Sequence, residues 1–210
     1  MTATFPATAR QDLDSPVIAD PPQRHRKGAV LPPLALVDMH GREVRLPVPG
    51  RLVHLQFRRF AGCPICDLHL RDFTRRHAEI EAAGLREVVL FHSSAQSLLP
   101  YAAALPFAVI PDPHRQLYGA FGVTAGARSL ARPGVWPALM RAVAWASIAP
   151  LRGRRLPPLR ADGGRLGLPA DALVAPDGRL LELRHGRHAD DQWDVDALLA
   201  VAARHRGAGV

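Results

Sequence analysis

Residues 52–84, LVHLQFRRFAGCPICDLHLRDFTRRHAEIEAAG, decide the fold. The opening LVHLQF is a short apolar run with β character, the pattern of a buried central strand. In the continuation, Leu68, Leu70, Phe73, His77 and Ile80 recur at helical spacing, and Gly84 is a suitable C-terminal stop. Strand, short connection and helix follow one another, with both cysteines of the chain, Cys63 and Cys66, at the junction.

Outward from this unit the alternation continues. REVVLFHSS (residues 86–94) reads as a second buried strand, SAQSLLPYAAAL as a helix starting near Ser94 and disturbed at Pro100, FAVIPDP as a third strand, and HRQLYGAFGV as a short helix closed by Gly122. Towards the N-terminus, Leu34–Pro49 reads as a hairpin with His40-Gly41 at its turn and Val44 and Leu46 alternating with charges. Towards the C-terminus, LPADALVAP and RLLELRHG flank Asp177-Gly178, a strong hairpin signal. DQWDVDALLAVAARHR then predicts an amphipathic helix, with acids in its first turn and Arg204 and Arg206 in its last, as the helix dipole favours. Strand–helix alternation ending in a hairpin and a helix predicts a three-layer α/β domain.

The expected organisation is a flexible tail over residues 1–28, one domain over 29–206, and within it an insert at 124–165. The insert opens with an apolar stretch on which Trp136, Met140, Val143 and Ser147 share a helical stripe, the usual mark of core contact. An Arg- and Pro-rich connection follows. The segment leads directly towards Pro169, so it is expected to pack near the cysteines as a lid or substrate wall, and its Arg cluster could hold an anionic partner or rest on acidic lipids, although a solvated charged connection is the simpler reading.

Of 210 residues, 48% are apolar and 22% charged, which is globular composition. Two cysteines exclude a disulfide-stapled scaffold. The net charge of +8 rests on 27 Lys and Arg, of which only Lys27 is a lysine. Residues 126–165 hold eight arginines (Arg128, Arg132, Arg141, Arg152, Arg154, Arg155, Arg160 and Arg165) against the single acid Asp162, so the excess is local. That distribution argues against a general nucleic-acid surface. With no apolar run of ~18 residues and no signal-like h-region, membrane insertion and secretion are not expected, and a cytoplasmic location is.

Cys63-Pro64-Ile65-Cys66 carries the chemistry. A helix N-terminus offers free N–H groups and partial positive charge, and thiols there fall from a pKa of ~8.5 to as low as ~3.5–7.5. Cys63, at the helix mouth, is the better nucleophile. Cys66 is placed to attack a mixed disulfide formed on it. Pro64 suits an early helical position. Two other readings stay open: half a zinc site completed by His69 with His54 or His77, and chance buried cysteines. Neither a second CxxC nor a paired His motif accompanies the first, so no metal is assigned.

The segment FRRFAGCPIC (residues 57–66) resembles the active-site segment of thioredoxin-fold, peroxiredoxin-like proteins of the alkyl hydroperoxide reductase/thiol-specific antioxidant type. The likeness continues through DPHRQLYGAFGV and GLPADALVAPDGRLLELRHG to the terminal helix, over about residues 30–203. It implies a thioredoxin-like fold with a central mixed sheet, an N-terminal hairpin and a helical insert before a cis-proline strand. It also implies that Cys63 is the attacking cysteine and that Pro169 is the cis-proline beside it, while a strand-entry proline is the plain alternative.

The sequence departs from the family at Gln56 and Phe60, where peroxiredoxins carry Pro and a peroxide-binding Thr. That departure weighs towards dithiol–disulfide exchange. The expected function is a thiol-dependent antioxidant oxidoreductase that reduces disulfides or peroxides through a redox-active Cys63–Cys66 disulfide. No cofactor is needed, and a thioredoxin-like protein would be the reductant. The alternative is a non-catalytic redox-sensing or partner-binding module. Arg58, Arg59, Phe60 and Pro64 are the candidate substrate-binding positions, and strand alternation allows at most one of the two arginines to face the thiolate.

Overall fold

A computed structural model describes residues 24–123, 140, 144, 158, 161, 162, 164 and 166–206. Strands β1 (Leu34–Val37) and β2 (Glu43–Leu46) form the expected hairpin, with Gly41 at φ 81° in its turn. The chain then runs through β3 (Leu52–Phe57), α1 (Pro64–Arg75), α2 (His77–Ala82), β4 (Leu85–Phe91), α3 (Ala95–Ala102), β5 (Ala108–Pro111), α4 (Gln116–Ala120), β6 (Ala170–Val174), β7 (Leu180–His185) and α5 (Val195–Arg206).

The main sheet has the order β5-β4-β3-β6-β7. β3, β4 and β5 are parallel, and β6 and β7 are antiparallel additions, so the sheet is mixed as expected. β3 sits at its centre with all six residues buried, which is why its sequence reads as an unbroken apolar run.

The pleat divides the core into two. Val53, Leu55, Phe57, Val88, Leu90, Ala170, Ala172 and Val174 face the β1–β2 hairpin and α4. Val89, Phe91 and Leu173 face the opposite way, into a cluster with Phe73, Ile80, Leu98, Val195 and Leu198 from the helices. The layers are therefore helices, sheet, and hairpin with α4, as the alternation predicts.

Three expectations need correction or placement. The helical spacing from Leu68 to Gly84 spans two helices rather than one. Arg76, at φ −101° and ψ 18°, interrupts them, and its side chain is drawn to Glu79 and to Asp196 of α5. The cis peptide in the described residues is Leu46–Pro47, so Leu168–Pro169 is trans. Pro169 is a strand-entry proline: it directly precedes β6, where its missing N–H costs no ladder bond, and its carbonyl accepts from Gly186 N–H at 2.8 Å. Of the apolar stripe in the insert, Met140 is 64% exposed, while Trp136, Val143 and Ser147 lie outside the described residues, as do most of the insert and residues 1–23. Residues 24–28 are tied to the domain through His25 N–H to Ala120 O at 2.7 Å and Gly28 N–H to Leu180 O at 2.8 Å. Among the described residues no helix is long and apolar enough to cross a membrane.

Candidate active site

Cys63 is the N-cap of α1 and Pro64 its first residue. The turn into the cap uses Gly62 at φ 74°, a conformation that a Cβ would strain. A Cβ there would also meet Pro158 Cδ and the Tyr101 ring at 2.9 Å. The end of the insert thus approaches the residue before Cys63. Nearby, the Asp162 carboxylate accepts from Ser94 N–H at 2.8 Å, and Arg115 Nη2 donates to Leu166 O at 3.3 Å.

The two thiols are free and buried, at 2% and 3% exposure. Cys63 Sγ accepts from Cys66 N–H at 3.5 Å and from the Cys66 thiol at 2.9 Å. Burial opposes ionisation of Cys63 more than any other single influence. The Cys66 thiol, the Arg59 charge and the helix N–H groups of Cys66 and Ile65 together outweigh it and lower the Cys63 pKa to about 7. Cys66 moves the other way, because burial and the neighbouring Cys63 both disfavour a second thiolate. One helix turn therefore supplies an ionisable outer thiol and a protonated inner one.

Neighbouring arginines diverge here. Arg59 is buried at 5% exposure, with its guanidinium 5.3 Å from the Phe60 ring centroid, and its charge acts on both thiols. Arg58 takes the opposite side of the extended chain. It is fully buried and donates to Gln56 Oε1 at 2.5 Å, Asp171 Oδ1 at 2.9 Å and His69 Nε2 at 3.0 Å. The expectation that only one arginine faces the thiolate is met by Arg59. Arg58, a candidate substrate-binding position, lies fully buried with Nε and Nη2 bonded to Gln56, Asp171 and His69. Phe60 is buried in the same cluster as the cysteines, and Pro64 is half-buried. Pro169 packs closely against Gly186, where a Cβ would meet its Cγ at 2.8 Å.

Beneath α1 the strands carry a buried ionic network. The register sets His54 beside Glu87 and Gln56 opposite Asp171, all on the helix-facing side of the sheet. His54 Nδ1 donates to Glu87 Oε2 at 2.9 Å and Nε2 to Asp171 Oδ1 at 3.3 Å, while Gln56 Nε2 donates to Glu87. Burial works against charge on His54, but Glu87 and Asp171 overcome it and raise its pKa to about 9. Asp171 is likewise opposed by burial, yet Arg58 and His54 hold its carboxyl well below the usual carboxylate range. His69 is kept neutral by burial and by the Arg58 charge, and it accepts Arg58's hydrogen bond. Two cations thus meet two anions with both carboxylates well bonded.

Glu87, Asp171, Tyr118 and His92 are marked by no motif of the sequence. Tyr118 donates to Arg58 O and to Leu90 O, closing the far side of the β3–β4 junction. The available signal was a set of single polar residues inside apolar strand runs. Such residues point to partners only once the register is known.

Cys63 caps α1 at the C-terminal edge of the central parallel strand with a second thiol one turn on, an arrangement suited to thiol redox chemistry on a thioredoxin fold. The model of the family described as AhpC/TSA antioxidant enzyme matches residues 72–185, just over half of the 210, and the chain belongs to that family. The matched region begins after both cysteines. Among solved structures, the chain is similar to the peroxidoxin BcpB of Mycobacterium tuberculosis, with a TM-score of 0.59 and 16% identity over 85% of this chain and 96% of that one. It is similar to peroxiredoxin Q of Xanthomonas campestris, with a TM-score of 0.55 and 18% identity over 82% and 90%. A reduced 2-Cys peroxiredoxin of Plasmodium vivax gives 0.59 and 12% over 87% and 84%. At these identities the likeness is one of fold. No curated protein matches the chain.

Proposed function

We propose that the protein is a two-cysteine thiol peroxidase in which Cys63 attacks a hydroperoxide and Cys66 resolves the product. The observation that carries the reading is the Cys63 sulfur at the N-terminus of α1, with the Cys66 thiol 2.9 Å away and donating to it. The Cys63 thiolate attacks the terminal oxygen of R–O–O–H. An S–O bond forms, the O–O bond breaks, and the hydroxyl proton passes to the departing oxygen, leaving Cys63 sulfenate and ROH. Cys66 thiol then attacks the sulfenate sulfur, giving the Cys63–Cys66 disulfide and hydroxide. The pair has lost two electrons and the peroxide has gained them.

A small hydroperoxide suits a site whose two sulfurs are 2–3% exposed. A thioredoxin-like dithiol protein would return the disulfide to thiols. A reducing compartment such as the cytoplasm would suit a dithiol that has to be returned to thiols after each turnover.

Cys66→Ser is expected to stop at a Cys63 sulfenate that dimedone captures, whereas Cys63→Ser should abolish peroxide turnover. Mass spectrometry of the wild type after one equivalent of peroxide should find the Cys63–Cys66 disulfide. Equal residual turnover in the two variants would refute the assignment of roles. A wild type no faster with peroxide than free cysteine would refute the peroxidase reading.

A further inference from the structure

The parallel strands have a second end, remote from the thiols. β3, β4 and β5 all run towards the Cys63 side, so Arg86 and Glu87 at the start of β4 and Ala108 at the start of β5 lie at the opposite edge. The six residues of β3 set the two edges roughly 20 Å apart. A cavity of about 340 Å³ opens at this far edge, between the β1–β2 hairpin, α2 and the entry to β5. That volume falls within the ~300–1,000 Å³ of small-ligand pockets. Pro106, Phe107 and Val44 give it an apolar wall. The Phe107 ring is 7% exposed and meets the His77 ring edge-on, with centroids 5.8 Å apart, so this wall is fixed.

The charges in the wall cancel except at one residue. Arg42 is met by Asp38 at 2.7 Å. Arg51 is met by Glu81 at 2.8 Å and donates to Leu85 O at 2.7 Å. Glu87 is bonded to His54 at 2.9 Å, and Glu43 to Arg45, outside the cavity, at 2.8 Å. Each of the four carboxylates thus has its own cation. The half-buried Arg86 side chain has no ion pair or hydrogen bond among the described residues. The cavity therefore carries one uncommitted guanidinium beside an apolar wall. A guanidinium presents paired donors that match a carboxylate, and both groups gain from meeting away from bulk water.

We propose that this cavity binds a small monocarboxylate with a flat apolar body, its carboxylate on Arg86 and its body against Phe107 and Pro106. The charge balance selects the class. A second negative charge on the ligand would meet Glu43 and Glu81 with no cation to spare, which disfavours phosphates and dicarboxylates. A cationic ligand would face Arg86 directly. The site uses neither thiol and stands independently of the peroxidase reading.

The test uses 2-naphthoate as the probe and 2-naphthamide, the same shape without the charge, as its control. Calorimetric titration of the full chain should give one naphthoate site, with naphthamide weaker by about tenfold or more. Inorganic phosphate should not displace naphthoate. Amide NMR shifts caused by naphthoate should centre on Arg86, Phe107 and Ala108. Arg86→Gln should weaken naphthoate on the order of tenfold while leaving naphthamide within about twofold, a split that general loosening of the fold would not produce. Ala108→Leu narrows the cavity and should weaken both compounds. A Cys63→Ser, Cys66→Ser protein should bind naphthoate as the wild type does. The proposal is overturned if naphthoate does not bind, if naphthamide binds as well as naphthoate, if phosphate displaces it, if the shifts centre elsewhere, or if Arg86→Gln binds naphthoate within threefold of wild type. The naphthoate–naphthamide comparison needs no variant, so it decides the matter even where Arg86→Gln does not fold. None of these outcomes bears on peroxide turnover, which rests on Cys63.

Discussion

Asp171→Asn tests the buried network at its most connected point. The Asp171 carboxylate accepts from Arg58 Nη2 at 2.9 Å, His54 Nε2 at 3.3 Å and Trp193 N–H at 2.9 Å, with the three side chains of the Arg58–Asp171–His54 set at 0–1% exposure. Asparagine removes the charge and one acceptor edge. If its carbonyl faces Arg58, its amide hydrogens face Trp193 N–H, donor against donor. Arg58 and His54 are then left with Glu87 as the one remaining anion. Breaking one partner out of a buried pair costs roughly 3–5 kcal/mol, and release of the His54 proton moves the expectation towards the lower end. For a domain of this size that is a drop in Tm of roughly 6–20 °C.

Urea unfolding at pH 7 gives the magnitude, and the acid limb gives the cause. A carboxyl whose folded pKa lies below its unfolded value of ~3.9 stabilises fully above that value, and the contribution is lost as pH falls through the folded pKa. The gap between wild type and variant should therefore narrow below about pH 4. Asp177→Asn, on an exposed turn, is the control and should stay within about 0.5 kcal/mol. A loss at Asp171 below about 1 kcal/mol, or a gap that does not change with pH, would refute the account of a charge-bearing network.

Arg59→Met should raise the Cys63 pKa from about 7 towards the unperturbed ~8.5, read as the midpoint of iodoacetamide alkylation against pH, and an unmoved midpoint would contradict the electrostatic role given to Arg59. His54 has the opposite linkage: its folded pKa of about 9 lies above the unfolded ~6.5, so its stabilisation is complete below ~6.5 and disappears as pH rises through 9, on the order of 3 kcal/mol in all. Because the lowered Cys63 pKa acts in the reverse sense over the same range, the measurement belongs in a Cys63→Ser, Cys66→Ser background, and a flat profile from pH 6 to 9.5 there would rule the charged His54 out. Gly62→Ala meets both a positive φ and contacts at 2.9 Å, so it should lose at least the ~1–2 kcal/mol of a left-handed non-glycine residue and slow Cys63 alkylation. An alanine variant with wild-type melting would remove the close approach of Pro158 and Tyr101.

Legibility in the sequence followed the range of each interaction. Cys63 at a strand-to-helix junction, the His40-Gly41 and Asp177-Gly178 turns and the buried β3 run are local signals, and the fold contains all of them. The mixed sheet order was accessible through the family likeness. The break at Arg76 was not, because a single residue leaves the apolar spacing of Phe73 and Ile80 intact while its side chain answers to Asp196 of a distant helix. The trans peptide at Leu168–Pro169 shows the limit of the likeness: the proline is present, but its surroundings are those of a strand entry. The ionic network was invisible for a further reason. Its members come from β3, β4, β6 and α1, with His54 and Asp171 separated by 117 positions, and each alone resembles a tolerated polar residue in an apolar run.

The pleat of β3 extends past its last residue and divides two adjacent guanidinium groups between separate tasks. Residues 54, 56 and 58 share the side facing α1, so the charge of Arg58 is met by Asp171, and the same Nη2 reaches His69, five residues beyond Pro64 on the helix that carries both thiols. Apolar packing of Leu70 and Phe73 buries that helix, but it is non-directional, whereas the Arg58–His69 bond at 3.0 Å and the Asp171–Trp193 bond at 2.9 Å fix direction. Residue 59 emerges on the other side, and its charge reaches Cys63 and Cys66 instead. A one-residue slip of β3 would exchange the two, leaving Asp171 without its cation and moving the apolar face into the network. The register of a single strand therefore sets the support beneath the thiols and the field that ionises one of them.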